Sequence, residues 1–339
     1  MGEQQVIARI RLLVVLARPA VLFLLALYAA LGTARGGRPD DHLLLFGVLV
    51  VVAALLLFSV AVNDLSDEAI DRVNLPGAMA RPLVTGAGRR TELRVMAAAA
   101  AVLAPVAAVP LGWRCVLVTV AALAVSAAYS LRLSSRGAVA SLVLPACYVA
   151  TPFLLGSYGA GAAPDLLLLA GLYVGFVGRI LLKDFRDVRG DALFGKRTFL
   201  VRHGRRATCA FSAVCWAAGG ALVVLDAEDM AVVTAVGAAG ALMLLRMLAT
   251  DGGHRRDERL ISALAIVGRG LLVVLLVQLS LDRPPALLVP ALVAVFAAQA
   301  AAMVAYGPPG QYSRQIITTA RSSVVSVGTS WTRNAAPPR

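Results

Sequence analysis

Charge is scarce in this sequence. Asp, Glu, Lys and Arg make up 15% of its 339 residues, where a soluble domain averages about 25%. So little charge cannot cover a water-facing surface, and 59% of the chain is hydrophobic. Cysteine and histidine are also sparse. Cys115, Cys147, Cys209 and Cys215 all lie in apolar stretches and form no CxxC pair. With only three histidines they make no zinc set, and they read as small buried hydrophobes. A cleavable leader is not expected, because the apolar run from Leu12 is interrupted by Arg18 and lacks a cleavage site. Acids are outnumbered by bases, 19 to 32, for a net charge of +13. In a soluble protein that excess would suggest nucleic acid. Here it reads as membrane topology, and no nucleic-acid partner is expected.

Apolar runs of about 20 residues, the length that crosses a bilayer as a helix, recur along the whole chain. They predict spans at 12–33, 42–62, 94–111, 114–131, 138–157, 164–182, 207–226, 229–249, 260–281 and 285–305. The connecting segments alternate in character. Those at 34–41, 112–113, 158–163, 227–228 and 282–284 are short and weakly charged, whereas 63–93, 132–137, 183–206 and 250–259 are rich in arginine. With the N-terminus inside, only Arg35, Arg38, Arg114 and Arg283 fall outside. That asymmetry predicts an integral protein of the plasma membrane with its arginine-rich loops in the cytoplasm. Residues 1–305 read as one membrane domain. Residues 306–339 read as a basic, Pro-, Ser- and Thr-rich cytoplasmic tail, expected to be disordered.

Against this apolar background two acidic clusters stand out. Asn63-Asp64-Leu65-Ser66-Asp67-Glu68-Ala69-Ile70-Asp71 follows the second span, and Asp184-Phe185-Arg186-Asp187-Val188-Arg189-Gly190-Asp191 follows the sixth. Both place aspartates at i, i+3 and i+7, positions that share one helix face within about 60° of arc. Both also lie on the side assigned to the cytoplasm. Four spans separate them, which predicts two pseudo-repeated four-helix halves, each with one cluster at the end of its second helix, and a site at their junction. Carboxylate and amide oxygens without paired His or Cys suit Mg²⁺, which takes few carboxylates and completes its shell with phosphate oxygens and water. Two such clusters suggest a diphosphate bridged by two or more ions. Arg72, Arg81, Arg89, Lys183, Arg186, Arg189, Lys196 and Arg197 lie among the acids and could neutralise it. The adjacent bilayer could hold a long hydrocarbon chain. An ion-coupled transporter is a competing reading, but these acids sit at span ends rather than mid-bilayer.

Asn63-Asp64-x-x-Asp67-x-x-x-Asp71-x-x-Asn74, followed by Arg81-Pro82-Leu83-x-x-Gly86, resembles the first signature of the UbiA superfamily of intramembrane prenyltransferases. Lys183-Asp184-x-x-Asp187-x-x-Gly190-Asp191-x-x-x-Gly195-x-x-Thr198 resembles its second. Tyr129-Ser130, with Arg132 and Arg136 nearby, and Arg18-Pro19 match further elements; the resemblance covers 12–281. It implies an all-α polytopic membrane bundle around a central cavity. It assigns Asn63 and Asp67 to one Mg²⁺ and Asp187 and Asp191 to another. Asp64, Asp71 and Asp184 would support them, and Arg81 and Lys183 would bind diphosphate. The implied reaction is transfer of an isoprenyl group from a prenyl diphosphate, ionised to an allylic carbocation, to an acceptor expected to be aromatic or quinone-type. A terpene cyclase acting without acceptor is the alternative. The span at 285–305 and the long spacer Leu75–Ala80 depart from the family pattern.

Other residues fit around this site. Arg179, one turn before Lys183, is expected at its mouth, and with Arg72, Tyr129, Arg132 and Lys196 it is expected to bind the diphosphate or the prenyl chain. Arg269 is a charge within a span, which is costly unless it faces a cavity or snorkels. Tyr148 could line the prenyl tunnel.

Overall fold

The computed structural model describes residues 12, 16–74, 81–133, 137–250, 252–281 and 284–307; the side chains of 74, 132, 133, 137, 138, 187, 189 and 190 lie outside that description. Among these residues nine helices are long and apolar enough to cross a membrane, and one shorter apolar helix accompanies them. The short one is α1 (Pro19–Arg35). Its start is set by Arg18, whose φ of 43° is left-handed, and by Pro19, whose missing N–H costs nothing at a first helical position. The predicted first span, 12–33, is therefore broken at Arg18.

Chain order continues with α2 (His42–Ser66) and the short α3 (Glu68–Asn74) and α4 (Pro82–Thr85). Then come α5 (Arg90–Ala108) and α6 (Trp113–Ala128). One further crossing is built from α7 (Gly137–Pro145) and α8 (Thr151–Gly159). The second half has α9 (Leu166–Ile180), α10 (Asp184–Leu193), α11 (Phe199–Asp226), α12 (Ala231–Ala249), α13 (His254–Ser280) and α14 (Leu288–Tyr306). Side-chain caps fix several starts. Asp41 accepts from the Leu44 N–H at 2.9 Å, and Asp165 accepts from the Leu167 and Leu168 N–H groups at 3.1 Å.

α11 begins eight residues before the predicted 207, because helix resumes on both sides of Gly204, a kink at φ 77°, ψ 172°. α14 accounts for the predicted span at 285–305, and its exposed flank leaves much of it to lipid. Of the predicted tail only Tyr306 and Gly307 are described; 308–339 lie outside the described residues, as does the spacer 75–80.

Without a hydrophobic drive between membrane helices, close backbone packing holds the bundle together. A Cβ at Gly32 on α1 would lie 2.1 Å from the Phe153 carbonyl oxygen on α8, so only glycine fits there. Gly219 on α11 is similarly pressed against Gly171 and Gly175 of α9. At the end of the bundle away from the acids, Arg35 donates to Asp165 and to Asp226, each at 2.7 Å. That clip ties together the last residue of α1, the cap of α9 and the last residue of α11.

Candidate active site

The two acidic clusters come together because α3 packs on α10. Each follows an apolar membrane helix, and each leaves it through an irregular turn. α2 stops at Ser66, and Asp67 adopts φ −98°, ψ 8° before helix resumes. α9 passes through a tight 3₁₀ turn at Leu181–Lys183 before α10.

Asn63, Asp67 and Asp71 from the first cluster and Asp184 and Asp191 from the second line one cavity of about 160 Å³. Arg18, Arg81, Lys183 and Lys196 line it too, as do Tyr129, Tyr148, Ser59, Ser141 and Thr198. On the first segment Asn63, Asp67 and Asp71 therefore face the cavity, and of the three aspartates expected on one face only Asp64 does not line it. Asp64 is set behind the cavity wall. It is 2% exposed, accepts from Arg18 Nη2 at 2.9 Å and forms a very short ion pair with Arg81 Nη1. Arg81 Nε is also 3.2 Å from Asp71. Two arginines are thus aimed into the cavity from a buried carboxylate anchor.

Lys196 reaches across from the second half to Asp67 at 3.1 Å. Lys183 donates to the Tyr129 hydroxyl at 2.9 Å, with its ammonium 5.5 Å from that ring's centroid. Tyr129 and Tyr148 both sit in wide π-helical turns, Tyr129–Leu133 and Ala146–Ala150. Such turns rotate side chains out of α-helical register and occur often at functional sites.

Two expectations are corrected. Arg72 does not reach the cavity. Its side chain is 61% exposed and pairs with Glu68 at 2.8 Å. Arg179 does not lie at the cavity mouth either. It lines a separate pocket with Tyr28, Phe176 and Trp216. Arg132 is in the turn after α6 and Asp187 is in α10, but their side chains lie outside the described residues. Arg18 was not singled out as a site residue, although a charge directly before a helix-initiating Pro19 at the head of an apolar run was a visible signal.

Among the described residues no three carboxylates already converge tightly enough to cage an ion, and Arg18, Arg81 and Lys196 hold acid oxygens instead. The donor set around the cavity is nevertheless all oxygen, without His or Cys, which fits a hard cation sharing its shell with phosphate. On the apolar side, a second small pocket shares Ser59 and Tyr148 with the cavity. It runs between α2, α6 and α8, lined by Leu25, Val52, Leu56 and Cys147 among others.

Comparison with known proteins places this geometry. The model of the UbiA prenyltransferase family matches residues 22–267. A digeranylgeranylglyceryl phosphate synthase of Methanoregula boonei is 29% identical over 213 residues, 57% of this chain and 75% of that protein. Its namesake from Methanopyrus kandleri is 28% identical over 244 residues, 70% of this chain and 88% of that protein. Among solved structures, a UbiA homologue from Aeropyrum pernix superposes with a TM-score of 0.62 at 22% identity, over 75% of this chain and 97% of that one. A homologue from Archaeoglobus fulgidus bound to DMAPP and Mg²⁺ gives 0.58 at 19% identity, over 87% and 99%.

Proposed function

The chain belongs to the UbiA prenyltransferase family, and from that premise we propose that it transfers an isoprenyl group from a prenyl diphosphate to a lipid acceptor, with Mg²⁺, at the cavity between α2–α3 and α10. The observation that carries this reading is one cavity lined by acids from both halves, ringed by Arg18, Arg81, Lys183 and Lys196, and neighboured by an apolar pocket between membrane helices that shares Ser59 and Tyr148 with it. In this reading Asn63, Asp67, Asp187 and Asp191 hold the metal, supported by Asp71 and Asp184. When bound, Mg²⁺ offsets the charge that builds on the departing diphosphate.

The chain's own residues do the rest. Arg81, oriented by Asp64 and Asp71, and Lys183, oriented by Tyr129, bind diphosphate oxygens. Lys196 leaves Asp67 for the diphosphate. The prenyl chain lies along Val52, Leu56 and Cys147, where water is excluded and an allylic cation survives long enough to be captured. Tyr129 and Tyr148 present ring faces and hydroxyls to that cation. The arginine-rich loops beside the acids support placing the site on the cytoplasmic side of a plasma membrane.

The relatives' names point away from the aromatic or quinone-type acceptor expected from the sequence and toward a glyceryl phosphate. We accordingly take a phosphate-bearing lipid alcohol as the acceptor class. The test is diphosphate release by purified protein given C10, C15 and C20 prenyl diphosphates and Mg²⁺, with and without glyceryl phosphate lipids or phenolic acceptors, and with Asp67→Ala as control. Release only with a glyceryl phosphate lipid is expected. Release without acceptor, giving a cyclised hydrocarbon, would replace this reading with the cyclase one, and no release under any condition would refute both.

A further inference from the structure

Arg179 is a partly buried charge that the acidic cavity does not use. It lies inside a membrane helix, yet among the described residues it has no carboxylate and no hydrogen-bond partner. Its guanidinium rests 5.8 Å from the Phe176 ring centroid. It lines a pocket of about 90 Å³ enclosed by α1, α9, α11, α12 and α13, whose other walls are largely apolar and glycine-rich. Trp216, 8% exposed, lines the same pocket, and its Nε1 hydrogen is buried with no acceptor among the described residues. Gly268 makes the room. A Cβ there would stand 3.3 Å from the Trp216 ring and 3.9 Å from Arg179 Nη1. The next residue, Arg269, adds a second positive charge from α13 and spends its Nε on the Ala265 carbonyl.

Donors without acceptors are informative. A buried donor left unpaired is destabilising, and an unpaired buried charge more so, which is why such groups nearly always have partners. Here Arg179 and Trp216 converge with no acceptor among the side chains that share the pocket with them, apart from hydroxyls. What completes the site must therefore bring acceptors and negative charge. A guanidinium fork flanked by an N–H matches the oxygens of a phosphate or carboxylate. The pocket is also distinct from the diphosphate cavity. Phe176 stands between Tyr28, edge-on at 6.2 Å, and Tyr148, stacked at 5.7 Å. Tyr148 faces the acidic cavity while Tyr28 and Phe176 face this pocket, so an aromatic wall separates the two.

We propose that the pocket around Arg179 and Trp216 is a second, anion-recognising site. It takes the single phosphate headgroup of an amphipathic lipid, with the apolar walls receiving the adjoining chain. Its use as the docking point of the acceptor rests on the transfer reaction proposed above; the binding itself does not.

Trp216 reports on the site directly. In a Trp113→Phe, Trp331→Phe background it is the sole indole, and its emission is followed while the detergent-solubilised full chain is titrated with phosphatidic acid, with inorganic phosphate or with phosphatidylcholine. Phosphatidic acid is expected to shift the emission saturably. Arg179→Gln should weaken that binding by about tenfold or more, the scale of one hydrogen bond to a charged group. Arg179→Lys should fall between, and Gly268→Leu should abolish the shift by filling the pocket. A matching response to inorganic phosphate would assign the site to a free anion, still through Arg179. An equal response to phosphatidylcholine, no response in the unmutated pocket, or a response unchanged by Arg179→Gln would overturn the proposal. Mg²⁺-dependent binding of prenyl diphosphate is measured alongside. Its absence with the phosphatidic acid response intact would count against the transfer reaction alone.

Discussion

Replacing Asp64 and Asp67, three residues apart in the same motif, should produce opposite phenotypes. Asp64 is 2% exposed and holds two guanidinium groups, Arg18 at 2.9 Å and Arg81 closer still. Asp64→Ala takes from Arg18 its carboxylate and leaves Arg81 with Asp71. Removing one partner of a buried pair costs about 3–5 kcal/mol, a large part of a typical stability of about 5–15 kcal/mol. At about 2–4 °C per kcal/mol for a chain of this order of size, the apparent melting temperature should fall by roughly 6–20 °C.

Asp67 sits at the cavity with a single contact to Lys196 at 3.1 Å, the two side chains 16% and 13% exposed. Losing that charged contact costs about 1.5–3 kcal/mol, offset in part because the change also removes a negative charge from an acidic cluster, for a net cost of about 1 kcal/mol. Asp67→Ala should therefore melt within about 2–4 °C of the parent. Its Mg²⁺-dependent affinity for prenyl diphosphate should fall by about 10²-fold or more, since even outer-shell partners of a metal cost about 10–100-fold. Thermal unfolding of purified protein in detergent and isothermal titration with prenyl diphosphate measure the two quantities. Asp64→Ala melting with the parent, or Asp67→Ala keeping its Mg²⁺-dependent affinity, would refute the division between anchor and ligand.

Further expectations follow from the same geometry. Arg72→Ala should leave turnover within about twofold, because Arg72 itself is largely exposed and pairs away from the cavity with Glu68 and such pairs contribute little; a large loss would return Arg72 to the site. Leu56→Ala, which enlarges the apolar pocket beside the cavity, should shift chain-length preference toward longer prenyl diphosphates in a competition assay, at a stability cost of about 2–5 kcal/mol. Glu68 has its carboxyl held below its usual 4.5, chiefly by the hydrogen bond from Arg72, with Arg90 contributing. A depressed acid stabilises the fold above its unfolded value and loses that contribution as pH falls through its folded value. The tie from α3 to Arg90 on α5 should hold at neutral pH and weaken below about pH 4.5, read as a melting-temperature drop in the parent that is smaller in Glu68→Gln.

Much of the bundle could be read from length and hydropathy alone, because a bilayer forces apolar helices of a set length and leaves arginine in the loops. The convergence of the two acidic clusters was equally legible, since each aspartate set is tied to the end of a membrane helix. The local faces were not. On one helix residues 63, 64, 67 and 71 all fall within about 100° of arc, so spacing alone does not say that Asp64 turns to Arg18 and Arg81 while Asn63, Asp67 and Asp71 face the cavity. Arg179 is the same lesson in reverse. In an α-helix it would lie about 40° from Lys183. The 3₁₀ turn at Leu181–Lys183 advances about 120° per residue and widens that to roughly 100°, enough to send the guanidinium to the other side of the Phe176 wall. No propensity announces a three-residue 3₁₀ turn inside a run such as Ile180-Leu181-Leu182. The long-range clasp of Arg35 on Asp165 and Asp226, 130 and 191 residues away, leaves no trace in local pattern at all.

That clasp also bears on the direction of traffic. It fastens the ends of α1, α9 and α11 opposite the acidic cavity, so the two ends of the bundle differ: one is tied by ion pairs, the other carries the charged cavity. In the transfer reaction proposed above, diphosphate that enters as part of the donor would leave at the charged end, and the hydrophobic product would depart sideways between helices into the lipid. Such a reaction would take a soluble-ended molecule from one compartment and leave its tail in the membrane plane.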